Sequence, residues 1–425
     1  MKSFLTESKN IDKSSYVWNM MGTTIMAFQS VILLMILTRV LGLKDSGMFT
    51  IAYANANLLL IIGKYGMHNF HVSDTKDVYS FGDYRMARYI TTAVMIVASA
   101  IYVIVASSIN DYTYGKALVV LWTCLFKAVD AIEDVYCSLY QQKGRLDISG
   151  KMMTVRVVVT MIFFIASIFI TRSLLISVIA STIFTFIVFL LLNSVCKRLF
   201  IDSINEKCKV NRISRLLGAC FGLFIIGFLS YYITNAPKYS IDSLLSDEVQ
   251  ACYGFISMPV FVIGLMGNYL FNPIIKALSE KWSNGDFLWF RSRMLRQTAV
   301  VVCITTVCLV GAYFLGIPVL SLIYGTDLGN YRAELLVLLA SGGLLALANQ
   351  FMTIITIIRR QKWLLIGYIV CAVAALICSP MVVKRYSIMG AAMMELVLML
   401  CLCVLFAIIL ALSIGRAKKN YVPKS

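Results

Sequence analysis

Apolar runs of roughly twenty residues recur from one end of the chain to the other, separated by short polar gaps. A run of that length crosses the ~30 Å hydrocarbon core of a bilayer as a single helix. The pattern predicts twelve spans. Those of the first half are 15–38, 48–64, 89–109, 117–140, 152–171 and 174–196, and those of the second are 214–236, 248–271, 298–322, 333–357, 363–383 and 388–413. The fold class is therefore an all-α polytopic membrane protein. The fourth span is the least regular, because four charged residues interrupt it.

The polar gaps give the orientation. Of the 38 Lys and Arg residues, 28 fall in alternate gaps that include both ends of the chain and eight in the other gaps, while Lys127 and Arg156 lie within spans. Such a bias places both termini in the cytoplasm. The inner set includes Lys76, Lys207, Arg359 and Lys424. Residues 1–13 are polar and mixed in charge, so no cleavable leader is expected. The longest polar gap divides the chain into a six-helix lobe over 1–196, a cytoplasmic linker over 197–213 and a second six-helix lobe over 214–425. Because six is even, both lobes start on the same side, which permits halves related by an axis along the membrane normal, as in several transporter folds.

Composition narrows the function classes. The chain is 60% hydrophobic and 14% charged, against about a quarter charged in soluble domains. Its net charge of +17 would suggest nucleic acid in a soluble protein. Here it sits in short loops facing anionic headgroups, so membrane lipids are the expected partner and nucleic acid is not. No gap is large enough for an aqueous catalytic or nucleotide-binding domain, which excludes ATP-driven transport by this chain alone and argues against an enzyme. The twelve cysteines show no CxxC spacing, and the two histidines, His68 and His71, share one loop without a further ligand. Neither pattern predicts a metal or another cofactor.

Within the spans, the fourth holds the densest chemistry. At 100° per residue, Lys127, Asp130 and Asp134 fall within about 60° of one another, with Glu133 at the edge of the sector. A charge at bilayer depth costs ~2.5–3.5 kcal/mol and is tolerated when paired or facing a wet cavity. The face suits an ion- or proton-coupling site, a stretch of substrate path, or a structural ion-pair network. Glu395 enters the last span, near enough to Lys384 and Arg385 to pair with them or to serve a cavity. Arg156 begins the fifth span, where its side chain can snorkel. Asn55 and Asn57 occupy different faces of the second span. Gln29, Asn235, Asn268, Asn349 and Gln350 suit interhelical hydrogen bonds as well as ligand contacts. Gly218 and Gly222 form a GxxxG packing pair, and Pro259 offers a kink in the eighth span. Basic and aromatic residues interleave over 279–296, as in a helix lying at the headgroups or a loop with snorkelling arginines.

Several stretches resemble a known family. TRVLGLKDSGMF (Thr38–Phe49), IGKYGMHNFHVSD (Ile62–Asp74), YSFGDYRMARYIT (Tyr79–Thr91) and KAVDAIEDVYCSLYQQKGRLD (Lys127–Asp147) run through the first half. NAPKYSID (Asn235–Asp242) and YGFISMPVFVI (Tyr253–Ile263) follow in the second. Their order and the twelve-span layout resemble polysaccharide or O-antigen repeat-unit flippases of the multidrug/oligosaccharidyl-lipid/polysaccharide exporter superfamily. The resemblance implies two lobes around a central cavity. It implies alternating-access movement of undecaprenyl-diphosphate-linked oligosaccharide to the outer leaflet of a bacterial cytoplasmic membrane, coupled to a proton or sodium gradient. It also implies a place beside a polysaccharide polymerase and chain-length system in lipopolysaccharide assembly.

A diphosphate needs cations, for which Arg39, Lys64, Lys127 and Arg156 are the candidates, while Tyr53, Tyr231 and Tyr232 suit stacking on sugar rings or anchoring at the lipid interface, and Asn55 and Asn57 suit diphosphate or sugar contacts. No dense arginine cluster stands mid-membrane. Competing readings are a cation-coupled drug antiporter of the same fold, a membrane-embedded polymerase or acyltransferase, and a passive scramblase or channel.

Overall fold

The computed structural model describes residues 2–74, 78–206, 208–271, 274–358 and 360–420. Lys76, Lys207, Arg359 and Lys424, counted above among the inner basic residues, lie outside the described residues, as does the side chain of Asn268. The chain forms two compact units, 1–228 and 229–425. Contacts therefore divide it within a helix, downstream of the 197–213 linker.

Unit 1 begins with α1 (Lys2–Thr6), α2 (Ile11–Leu41), α3 (Leu43–Lys64), α4 (Met67–Ser73) and α5 (Phe81–Ile109). It continues with α6 (Tyr114–Gln142), α7 (Leu146–Thr171), α8 (Leu174–Cys196), α9 (Ile201–Ile204) and the first half of α10 (Val210–Leu244). Local chemistry sets the breaks. Asn10 caps α2 by accepting from the Lys13 N–H at 2.9 Å. Gly42, at φ 93°, separates α2 from α3 with backbone that an L side chain rarely adopts. Ser80 and Asp83 form a reciprocal capping box that starts α5.

The helices outrun the apolar segments. α5 starts at Phe81 rather than 89, and α10 continues through Pro237 to Leu244. α7 starts at Leu146, ten residues before Arg156, which at 1.5 Å per residue sets Arg156 about 15 Å into the helix.

α6 is the axial element of unit 1, with α3, α5, α7 and α8 packed around it. Its neighbours turn apolar side chains outward, such as Ile101 and Ile104 of α5 and Ile187 and Leu191 of α8. Along α6, the exposed large apolar side chain among the described residues is Tyr114, at its first position. A helix enclosed in this way can carry charge that a lipid-facing helix could not. α2 crosses α7 at glycines, where a Cβ on Gly150 would stand 2.7 Å from the Asn19 nitrogen. Gly218 and Gly222 of α10 have open space beside them, so they are not the helix-contact pair expected of GxxxG.

Unit 2 comprises the rest of α10, α11 (Asp247–Phe271), α12 (Ile275–Ser283), α13 (Phe287–Gly311), α14 (Ile317–Tyr324), α15 (Arg332–Ile357) and α16 (Gln361–Asn420). α16 kinks at Ser387 (φ 51°, ψ −132°) into two limbs. The limbs pack side by side, with Tyr368 edge-on to Phe406 at 5.3 Å between ring centroids. The basic-aromatic stretch 279–296 is not one surface helix. It ends α12, turns at Gly285 (φ 77°) and opens α13. Asp286 caps α13 through the Trp289 N–H, and Lys281 with that amide holds its carboxyl below the usual carboxylate range.

Ten helical segments among the described residues are long and apolar enough to cross a membrane. α6 is as long as α5 but too charged for that criterion, and the segment over α16 joins two limbs. All twelve predicted spans thus fall on helix.

Candidate functional site

The charged face of α6 meets cations from three other helices, α3, α5 and α7, and a histidine from α4. At its mid-depth level, Asp130 accepts from Lys127 Nζ at 3.0 Å on one oxygen and from Arg156 Nη2 of α7 at 2.7 Å on the other. Arg156 also reaches Glu133 Oε2 through Nη2 at 2.6 Å and Nε at 2.9 Å. Its Nη1 donates to Thr185 of α8 at 3.1 Å. Arg156 is 1% exposed, so it does not snorkel. Enclosed ten residues inside α7, it bridges two carboxylates.

Lys127 completes this level. Its ammonium stands 4.6 Å from the centroid of the Tyr53 ring of α3 and 3.5 Å from Gln29 Oε1 of α2. Tyr53 donates to the same oxygen at 3.2 Å. A desolvated ammonium over an aromatic face adds stabilisation to the ion pair.

A second level lies one turn on. Asp134 takes Arg88 Nη2 of α5 at 2.7 Å, Lys64 Nζ of α3 at 3.3 Å and His68 Nδ1 of α4 at 3.2 Å. Arg88 is fully buried and its Nη1 donates to the Gly63 carbonyl at 2.9 Å. His68 Nε2 lies 3.1 Å from Gln141 Oε1. Thus Lys127, Asp130 and Asp134 do share a face, but the structure divides them between two clusters, with Glu133 in the first.

Counting the two levels together, four fixed cations (Lys64, Arg88, Lys127, Arg156) meet three carboxylates (Asp130, Glu133, Asp134). The surplus positive charge is nearest the surface at Lys64 and His68, whose side chains are 35% and 31% exposed. Some polar capacity is unused: Glu133 Oε1, Arg88 Nε and both amide atoms of Asn55 are buried without a hydrogen-bond partner among the described residues.

Other predicted site residues lie apart. Arg39 is exposed in the last turn of α2, and Asn57 is half-buried on α3. Glu395 belongs to unit 2, where it accepts from Tyr253 Oη at 2.7 Å and Ser341 Oγ at 3.1 Å rather than pairing with Lys384 or Arg385.

Arg88 and His68 were not foreseen as members. Arg88 reads as a loop residue from hydropathy, although the Ser80-x-x-Asp83 capping pattern eight residues upstream signals that α5 has already begun. For His68, no local signal points to Asp134.

No protein-family model matches the chain. No curated protein matches it in sequence. Its structure is similar to that of the lipid II flippase MurJ in an inward closed conformation, with TM-score 0.72 and 12% identity over 96% of this chain and 90% of that one. It is likewise similar to the Vibrio cholerae MATE transporter VcmN in its bent form, with TM-score 0.63 and 14% identity over 96% and 97%. A third similar structure is an inward-facing multidrug resistance MATE family transporter of the MOP superfamily, with TM-score 0.61 and 10% identity over 99% and 96%. The chain is a multi-pass membrane protein with the fold of these transporters.

Proposed function

We propose that the protein is a flippase for oligosaccharide repeat units carried on undecaprenyl diphosphate, of the kind that feeds O-antigen and related polysaccharides. It moves the headgroup from the inner to the outer leaflet of a bacterial cytoplasmic membrane by alternating access, with both chain termini in the cytoplasm and a proton or sodium gradient as the energy source. A polysaccharide polymerase and chain-length system would take the product. The reaction is transport without bond chemistry.

The observation that supports this reading best is the charge balance on α6. Each carboxylate there already faces a fixed cation, and positive charge is left over at the partly exposed Lys64–His68 end. A diphosphate is attracted to such an end. A sugar crossing bare hydrocarbon would lose several kcal/mol per unpaired polar group, so a polar path for the head is required while the lipid tail stays in the bilayer. A cation-coupled drug antiporter would use the same three carboxylates, but their existing partners leave little net negative charge for a cationic drug.

The test is a leaflet-access assay in proteoliposomes loaded with polyprenyl-diphosphate oligosaccharide, with a lipophilic drug cation run in parallel. Protein-dependent, gradient-stimulated appearance of the oligosaccharide at the far leaflet is expected. Efflux of the drug cation with no movement of the oligosaccharide would establish the antiporter instead.

A further inference from the structure

A second polar site lies at the start of the chain, away from the α6 network. The short helix α1 is fixed in place: Leu5 is fully buried, Arg145 Nη2 donates to the Thr6 carbonyl at 2.7 Å, and Ser8 Oγ donates to Asp147 Oδ2 at 2.6 Å. Lys151 Nζ donates to the Glu7 carbonyl and to Ser8 Oγ, each at 2.9 Å. Held in this way, α1 and the first turns of α2 wall an open pocket of about 740 Å³. Lys9, Lys13 and Lys151 bring positive charge to its lining, and Phe4 and Trp18 form an aromatic wall, edge to face at 5.3 Å. Lys151 also stands 5.5 Å from the Phe4 ring centroid. One carboxylate, Glu7, shares the lining and is engaged by the Ser3 hydroxyl at 2.6 Å.

The surroundings select the ligand. Phe4 and Val17 of the lining are exposed, as are Ile11, Tyr16 and Met20 along α2, and Val17 and Trp18 line the pocket where the apolar part of α2 begins. A site with lysines in its lining and exposed apolar residues beside it suits an amphiphile whose head is anionic. We propose that this pocket binds the phosphate headgroup of an anionic membrane phospholipid, with Lys9 and Lys13 contacting the phosphate and Phe4 and Trp18 flanking the glycerol and upper acyl chain. The site uses none of the residues assigned to transport.

The test is native mass spectrometry of the full chain released from nanodiscs containing equal phosphatidylglycerol and phosphatidylcholine. The wild-type protein should retain phosphatidylglycerol preferentially. K9Q/K13Q should lose that preference by about fivefold per lysine removed, whereas K197Q/R198Q, which removes basic charge outside the pocket, should keep it. Unchanged retention in K9Q/K13Q, or an equal loss in K197Q/R198Q, would overturn the site. Inorganic phosphate should displace no more lipid than chloride at matched ionic strength. Specific displacement by phosphate would assign the pocket to a soluble phosphate and overturn the lipid assignment.

Discussion

The two units solve the burial of charge differently. Unit 1 encloses a dense array in which three carboxylates of α6 are bound by cations from α3, α5, α6 and α7. Unit 2 buries Glu395 of α16 in direct contact with two neutral hydroxyls, those of Tyr253 and Ser341, with Lys238 of α10 as its longer-range charge partner. Removing one member of an ion array leaves its partner's charge exposed to low dielectric. Removing charge from a carboxylate held by hydroxyls leaves no orphaned opposite charge in direct contact. Neutralising any one of the α6 carboxylates breaks a direct ion pair, whereas neutralising Glu395 breaks none and loses only the longer-range attraction of Lys238. Proton uptake at Glu395 would break no direct ion pair, whereas at Asp130 it would break two.

Four single variants and one double variant probe that contrast, in decreasing order of expected effect. Arg156→Met removes the bridge between Asp130 and Glu133 and should destabilise the protein by about 3–5 kcal/mol, read as a fall in thermal unfolding temperature in detergent. Adding Glu133→Gln should restore part of that loss, since the double variant leaves one fewer unpaired carboxylate. An additive double variant would mean that the two residues do not act as a unit.

Asp134→Asn strands the buried Arg88 and should cost about 2–3 kcal/mol, with impaired flipping in proteoliposomes containing matched amounts of protein. Lys64→Gln touches a partly exposed ion pair and should cost at most about 1 kcal/mol. Its flipping of diphosphate-linked oligosaccharide should nevertheless drop severalfold, measured as initial rate at subsaturating cargo. A normal rate would remove Lys64 from the cargo path.

Glu395→Gln should change stability least, by about 1 kcal/mol or less, because an amide can keep the Tyr253 hydrogen bond. Its signature should be loss of gradient stimulation with passive flipping intact. Stimulation equal to wild type would place coupling elsewhere.

The helical spans were legible because hydropathy reports burial in lipid directly. Their ends were not, since a helix continues past its apolar stretch wherever caps and tertiary contacts support it. That is why Arg88 and Arg156 read as boundary residues while both are enclosed within helices. The periodicity of α6 correctly gathers Lys127, Asp130 and Asp134 on one side, but it cannot name what faces them. Arg88 is 46 positions from Asp134 in the chain, and that encounter is set by how α3, α5 and α7 pack around α6. The polar ends of α1 and α7 likewise read as positive-inside charge, and only packing turns Lys151 into a buried donor to the Glu7 carbonyl.

The division of the chain inside α10 bears on biogenesis. Leu216 and Cys220, in its first half, are buried in the same core cluster as Tyr84, Val135 and Tyr140. A nascent chain emerging from the translocon would remain unsealed along that cluster until the seventh span followed. A break in the 197–213 connector would accordingly leave the amino-terminal piece with a greasy seam open to chaperones or proteases.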